Sequence, residues 1–240
     1  MSVILECKKI RRTGFWAAFT VGGILSAAVP VVNMAVRWER YLAKQGNPLR
    51  ILLDANWQMM AMLNILLVTA GACLLYHTEY ADNAMQKMKS LPLRESSVFF
   101  GKVILIIFVS AFVLAIEAGA AAFCLYHWFH AGEGLGSEVF KNFGYAFLLM
   151  LPCSILSLLI SEACKNMWVS LGIGIVCAFT ATILPANSFF LSFFPFAMPF
   201  QIFAGTDPAR VTHYIYAAAA ELVLFCLAEL IFIKVRRSFE

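Results

Sequence analysis

The sequence predicts an all-α membrane protein that crosses the bilayer six times. Of its 240 residues, 62% are hydrophobic and only 13% charged, where a soluble domain has about half and about a quarter. The mean hydropathy is +0.81, and the apolar residues fall into six blocks, each close to the ~20 residues that a helix needs to cross the hydrocarbon core. Basic residues stand beside those blocks, so the net charge of +4 reads as a topology signal and not as a nucleic-acid footprint. With 22 Phe and 8 Pro, the apolar excess is of membrane type and not that of a disordered chain.

The first element is short. In residues 1–14, Val3, Ile4, Cys7 and Ile10 recur every three or four positions, while Glu6, Lys8, Lys9, Arg11 and Arg12 fall mostly on other faces. This pattern predicts an amphipathic helix lying on the membrane interface. The first span follows at 15–36. A basic stretch ahead of an apolar block that reaches Ser26-Ala27-Ala28 is also how a signal peptide begins. The block is long, however, and five comparable ones follow, so it is read as a retained span.

The second span is expected at 57–76 and the third at 100–128. Between them, residues 77–98 begin with helix formers, and Pro92 ends that run because the residue before a proline disfavours helical geometry. A short polar–apolar helix held between two spans suits docking to a soluble partner. The fourth and fifth spans are expected at 143–161 and 168–184, and the sixth at 214–233, stopped by Lys234, Arg236 and Arg237. Aromatic residues near many of these ends fit interfacial belts.

Residues 185–212 fit no single helix. Phe189, Phe190, Leu191, Phe193, Phe194, Phe196, Met198, Phe200 and Phe203 crowd this stretch, which Pro185, Pro195, Pro199, Gly205 and Pro208 interrupt. Irregular backbone cannot face lipid, so a re-entrant helical hairpin entering from the outside is the expectation. Placing both termini in the cytosol puts 12 basic residues inside and 6 outside, the orientation that the positive-inside rule favours.

Little catalytic chemistry is visible. The seven cysteines show no Cys-x-x-Cys or Cys/His metal spacing, and five lie within or beside apolar stretches, as small packing residues do. His77, His127, His130 and His213 stand near membrane edges without forming a metal set. No Gly-x-x-x-x-Gly-Lys-Ser/Thr phosphate loop occurs, and Gly172 and Gly174, inside a span, read as close-packing positions. The acids Glu117, Glu221 and Glu229 fall inside spans, where a charge costs about 2.5–3.5 kcal/mol on insertion scales and tends to face protein or water. At about 1.5 Å per residue, Glu117 lies roughly 25 Å from the cytosolic start of its helix, and Glu221 about 13 Å from the outer end of its own. Both are candidates for a substrate pathway in the outer half, attractive to a cationic peptide; the structural alternative is a bond to a neighbouring helix. Phe193 and Phe196 are candidates for an outer gate or platform, or alternatively for a cap on the bundle.

A basic amphipathic N-terminal helix, six spans, and Glu79-Tyr80-x-x-Asn83 leading into Leu91-Pro92-Leu93-Arg94 and Gly101-Lys102 together resemble the permease subunits of type-2 ABC exporters. The resemblance covers essentially the whole chain. It implies that the loop after the second span is a coupling helix seated on an ATPase, with Glu79, Tyr80, Asn83, Leu91, Pro92, Arg94 and Lys102 as coupling residues. It also implies a re-entrant segment between the fifth and sixth spans. The implied partners are two ATPase subunits, which bring ATP and Mg²⁺, and a second permease, identical or homologous; the chain itself binds no cofactor and is not an enzyme. Length and the lack of a large outer domain look most like lantibiotic-immunity and bacitracin-type permeases, which expel membrane-active peptides and so protect the cell. The competing readings are an ABC permease for lipid or another hydrophobic compound, and a non-transporting sensor or scaffold. An intramembrane enzyme lacks a nucleophile or metal motif.

Overall fold

The computed structural model describes residues 2–11, 13–80, 95–130, 134–164 and 166–239. Among these all regular secondary structure is helical, with no strand. The short α1 (Ser2–Ile10) leads into α2 (Phe15–Leu42), α3 (Pro48–Tyr80), α4 (Glu95–His127), α5 (Leu135–Ala163), α6 (Met167–Asn187) and α7 (Pro208–Phe239). The last six are long and apolar enough to cross a membrane, so the chain is a multi-pass membrane protein.

Every expected span is present, and most run longer than the apolar blocks suggested. The second extends back to Pro48 through Arg50 and Asp54, which sit one turn apart on the exposed face with Nε and Oδ2 3.6 Å apart. Outer helix turns that reach polar surroundings need not be apolar, so a hydropathy pattern stops short of them. Prolines inside the membrane do not end the helices. Pro30 and Pro152 are buried in α2 and α5, and such prolines are tolerated in membrane helices, where freed backbone groups can find other partners. The break in α2 comes later, at Arg37, with φ −133°.

The six long helices divide into a centre and a rim. In α3, α4 and α5, 61%, 56% and 61% of the most apolar window is buried, against 33%, 22% and 11% in α2, α6 and α7. The central three pack on one another; α2 lies against α3 and α4, α6 mainly against α3, and α7 against α5. The rim faces carry exposed Val21, Ile24, Val32, Val176, Phe179, Val223 and Leu224, as lipid-facing surfaces do. Lipid tails are as apolar as these side chains, so close packing and hydrogen bonds, not the hydrophobic effect, must hold the helices together.

At one end, α1 folds back against α4, with Ile10 and Phe15 in a core that includes Tyr76, Phe99 and Leu158. Glu6, expected on the polar face of α1, is instead 1% exposed. Its neighbour one turn on explains this: Lys9 Nζ donates to Glu6 Oε1 at 2.7 Å, so the carboxylate enters the interface already paired. At the opposite end, the stretch expected to form a helical hairpin contains two 3₁₀ turns, Phe190–Phe193 and Met198–Phe200. Pro195 and Pro199 lack the N–H groups that a longer helix needs. The segment is nonetheless packed, with Phe196, Ala197 and Met198 all 0% exposed.

Candidate functional site

Polar side chains in the apolar bundle form three groups, at mid-span, at the cap formed by residues 188–207 and at the end that carries α1. The mid-span group centres on Glu117 of α4, which is 0% exposed. Its Oε1 accepts from the Ser26 hydroxyl of α2, and its Oε2 accepts from Asn64 Nδ2 of α3 at 3.0 Å. Three helices are thereby joined by one carboxyl group. Asn33 Nδ2 donates to Asn56 Oδ1 at 2.7 Å, a second bond between α2 and α3. A crevice with room for about one water molecule lies beside Asn64 and Ser110, lined otherwise by apolar side chains such as Phe19, Val113 and Met150. Asn64 Oδ1 and Ser110 Oγ are buried with no hydrogen-bond partner among the described residues.

Glu221 lies elsewhere, on α7, the helix that packs on α5. It is half-buried, and its Oε2 has no hydrogen-bond partner among the described residues. Glu117 is thus enclosed by bonds to α2 and α3, whereas Glu221 is half-buried on the rim helix α7. The described residues place no contact between the two carboxyl groups.

The cap is latched at two points. Trp57 Nε1 of α3 donates to the Pro199 carbonyl at 3.0 Å. Asn142 Oδ1 of α5 accepts from the backbone N–H groups of Phe203 and Ala204 at 3.0 and 3.2 Å. The cap closes at Gly205, whose φ of +75° suits glycine and where a Cβ would stand 2.6 Å from the Arg50 guanidinium. Phe196 is a core residue packed with Ile65, Cys153, Ala178 and Ala181. Phe193 is half-buried with its ring 5.3 Å from that of Tyr214, and the Tyr214 hydroxyl lies 2.7 Å from Ser192 Oγ. The two phenylalanines therefore face different surroundings, one enclosed and one at the seam with α7.

The third group stands at the ends of α3, α4 and α5. Lys102 is 1% exposed, and its ammonium sits 3.8 Å from the centre of the Tyr76 ring, a cation–π arrangement. The Tyr76 hydroxyl donates to Glu162 Oε2 of α5 at 2.7 Å. One turn deeper, Cys73 of α3 lies 3.3 Å from Ser170 of α6 and 3.6 Å from Ser161 of α5, and the two serine oxygens are 2.9 Å apart.

Of the residues expected to couple to an ATPase, only Lys102 has a described side chain. Glu79 and Tyr80 close α3, and Asn83, Leu91, Pro92 and Arg94 lie outside the described residues. Sequence reasoning missed Ser26, Asn64, Tyr76, Asn142 and Glu162. The available signal was the one used for Glu117: a polar side chain within an apolar block needs a partner. Among the described residues, no three His, Cys, Asp or Glu side chains are grouped to hold a metal.

A family model described as ABC-2 family transporter protein matches residues 2–181, which takes in α1 through most of α6. No curated protein and no solved structure matches the chain.

Proposed function

The chain belongs to the ABC-2 transporter family, and from that premise we propose that it is a permease that expels membrane-active peptides of the lantibiotic class from the bilayer. Membership makes it the membrane component of an ABC transporter, paired with a separate ABC ATPase subunit and not itself the ATPase. The family match over residues 2–181 is the observation that carries this reading. The substrate is the further step, and it rests on the resemblance of the sequence to lantibiotic-immunity and bacitracin-type permeases.

In this reading two ATPase subunits bind ATP and Mg²⁺ and clasp two permeases, identical or homologous. The stretch between α3 and α4 seats on the ATPase, with Glu79, Tyr80, Asn83, Leu91, Pro92 and Arg94 at the contact. Nucleotide-driven closure then rocks the helices and alternates access to the two sides. Both termini are cytosolic, α1 lies along the inner interface, and residues 188–207 fold back into the outer leaflet. Glu221 and Phe193, at the seam between α7 and the bundle, meet a cationic amphipathic peptide; Phe196 supports the cap from behind. Glu117 ties α2 and α3 to α4, which packs on α5, the helix that borders this path.

The test uses cells that express the permease with its ATPase and are challenged with nisin as a representative lantibiotic. The expected result is a several-fold rise in the inhibitory concentration, lost when the ATPase is inactivated. An ATPase-dependent complex that gives no protection against nisin or gallidermin sinks the peptide assignment and leaves the permease assignment standing. Co-purification of the ATPase is expected in roughly stoichiometric amount. Substituting Glu79, Asn83 or Pro92 is expected to uncouple ATP hydrolysis from protection, and full coupling in all three would remove the docking loop from the mechanism.

A further inference from the structure

We propose that Lys102, Tyr76 and Glu162 form a side-chain linkage that carries motion from the ends of α3 and α4 into α5, so that Lys102 acts through Tyr76 and not by touching the ATPase. The proposal rests on the permease reading above, which puts the ATPase against the stretch joining those two helices.

Position is the first argument. Tyr76 lies one turn before the end of α3 at Tyr80, and Lys102 two turns after the start of α4 at Glu95. These are the two stems that enter and leave residues 81–94, and any displacement of that stretch pulls on both. Lys102 is 1% exposed and Tyr76 2% exposed, so neither side chain is available to a soluble partner docking from outside. A lysine at the edge of a span ordinarily extends its ammonium towards water. Here it turns inward and lies 3.8 Å from the Tyr76 ring centre.

Connectivity is the second argument. The Tyr76 ring receives the cation on its face, and its hydroxyl donates 2.7 Å to Glu162, in the last turn of α5. One rigid side chain therefore touches α4 and α5 from α3. Rotating the end of α3 moves the hydroxyl with the ring, because an aromatic side chain has few soft torsions to absorb the motion. The deeper Cys73, Ser161 and Ser170 contacts extend the same connection to α6. Helices that pack in lipid without a hydrophobic driving force rely on such polar ties.

The test is hydrogen–deuterium exchange on the complete permease–ATPase complex in nanodiscs, with and without ATP, Mg²⁺ and vanadate. In the native complex, nucleotide is expected to change exchange in the first turns of α4 and in residues 156–163 of α5. Tyr76→Phe keeps the ring under Lys102 and removes the donor to Glu162. It is expected to preserve the α4 response and reduce the α5 response at least five-fold. Lys102→Met is expected to do the same, and Lys102→Arg, which restores a cation over the ring, to recover most of it. Glu162→Leu breaks the linkage from the α5 side and serves if Tyr76→Phe does not assemble. A merely structural role would lower the melting temperature of these variants and leave the α5 response intact in the protein that survives; that result overturns the proposal. Failure of the unsubstituted permease to bind an ATPase is a separate result, and it removes the permease reading on which the proposal stands.

Discussion

Glu117 accepts hydrogen bonds from Ser26 of α2 and Asn64 of α3, so two substitutions there should behave very differently. Glu117→Ala strips both partners and leaves a void at a fully buried position. Unsatisfied buried groups and cavities each cost a few kcal/mol, which puts the expected loss at about 2–5 kcal/mol. Glu117→Gln keeps the volume and one acceptor oxygen and should cost about 1 kcal/mol. Thermal unfolding in detergent checks the pair, and equal losses would mean that the bonds to Ser26 and Asn64 contribute little. Glu221, half-buried on the rim helix, should tolerate Gln with little change in melting temperature, while protection against peptide falls several-fold if it meets substrate. Unchanged protection with normal expression would remove Glu221 from the pathway. The need for partners at such residues is legible in sequence, because an acid in an apolar block announces it. Their identity is not, because Ser26 lies 91 residues away from Glu117 and no local periodicity links the two. Glu6 shows the same limit: periodicity assigned it to the polar face, and a pairing with Lys9 allowed it to be buried.

At the scale of elements, glycines inside α6 separate packing from composition. Gly172 and Gly174 look alike in sequence, both being small residues in a span. A Cβ at Gly174 would collide with the Thr69 side chain of α3, and one at Gly172 would meet nothing within 4 Å. Gly174→Ala should therefore push α6 off α3 and cost about 1–3 kcal/mol. Gly172→Ala should be neutral or stabilise the helix by up to about 1 kcal/mol. Melting temperatures of the two variants in one detergent decide the point, and a reversed order would contradict the packing of α3 on α6. The cap offers a second element-scale test. Asn142→Ala leaves the backbone N–H groups of Phe203 and Ala204 without their acceptor, and exchange in residues 198–206 should rise while α3 and α4 stay protected. The six spans themselves were readable because each needs about 20 apolar residues, a long and redundant signal. The cap was readable only as a problem: prolines and phenylalanines together exclude one helix, but its latches come from Trp57 and Asn142, far away in the chain.

For the whole molecule, the uneven burial of the helices bears on how many copies work together. The central α3, α4 and α5 are closely packed, and the crevice beside Asn64 holds about one water molecule. A peptide cannot pass through a space of that size, so a path through the middle of one copy would require the best-packed helices to part. The rim helices α2, α6 and α7 instead leave most of their apolar windows uncovered. Lipid alone satisfies such faces, but a transporter also needs a boundary that opens, and opening the middle of one copy would break the Glu117 and Asn142 ties. The expected assembly is therefore two permeases bound to two ATPases, with the path at their shared rim. Native mass spectrometry of the complex released from nanodiscs should give that stoichiometry, whether the second permease is this chain or a homologue. Cysteine pairs placed on exposed rim positions such as Val32 and Leu224, in a background lacking the native cysteines, should cross-link between copies, and the yield should change when ATP and vanadate are added. A single permease with full ATP-dependent activity would sink the shared-rim path and leave the seam between α7 and α5 within one copy, where Glu221 and Phe193 stand, as the route.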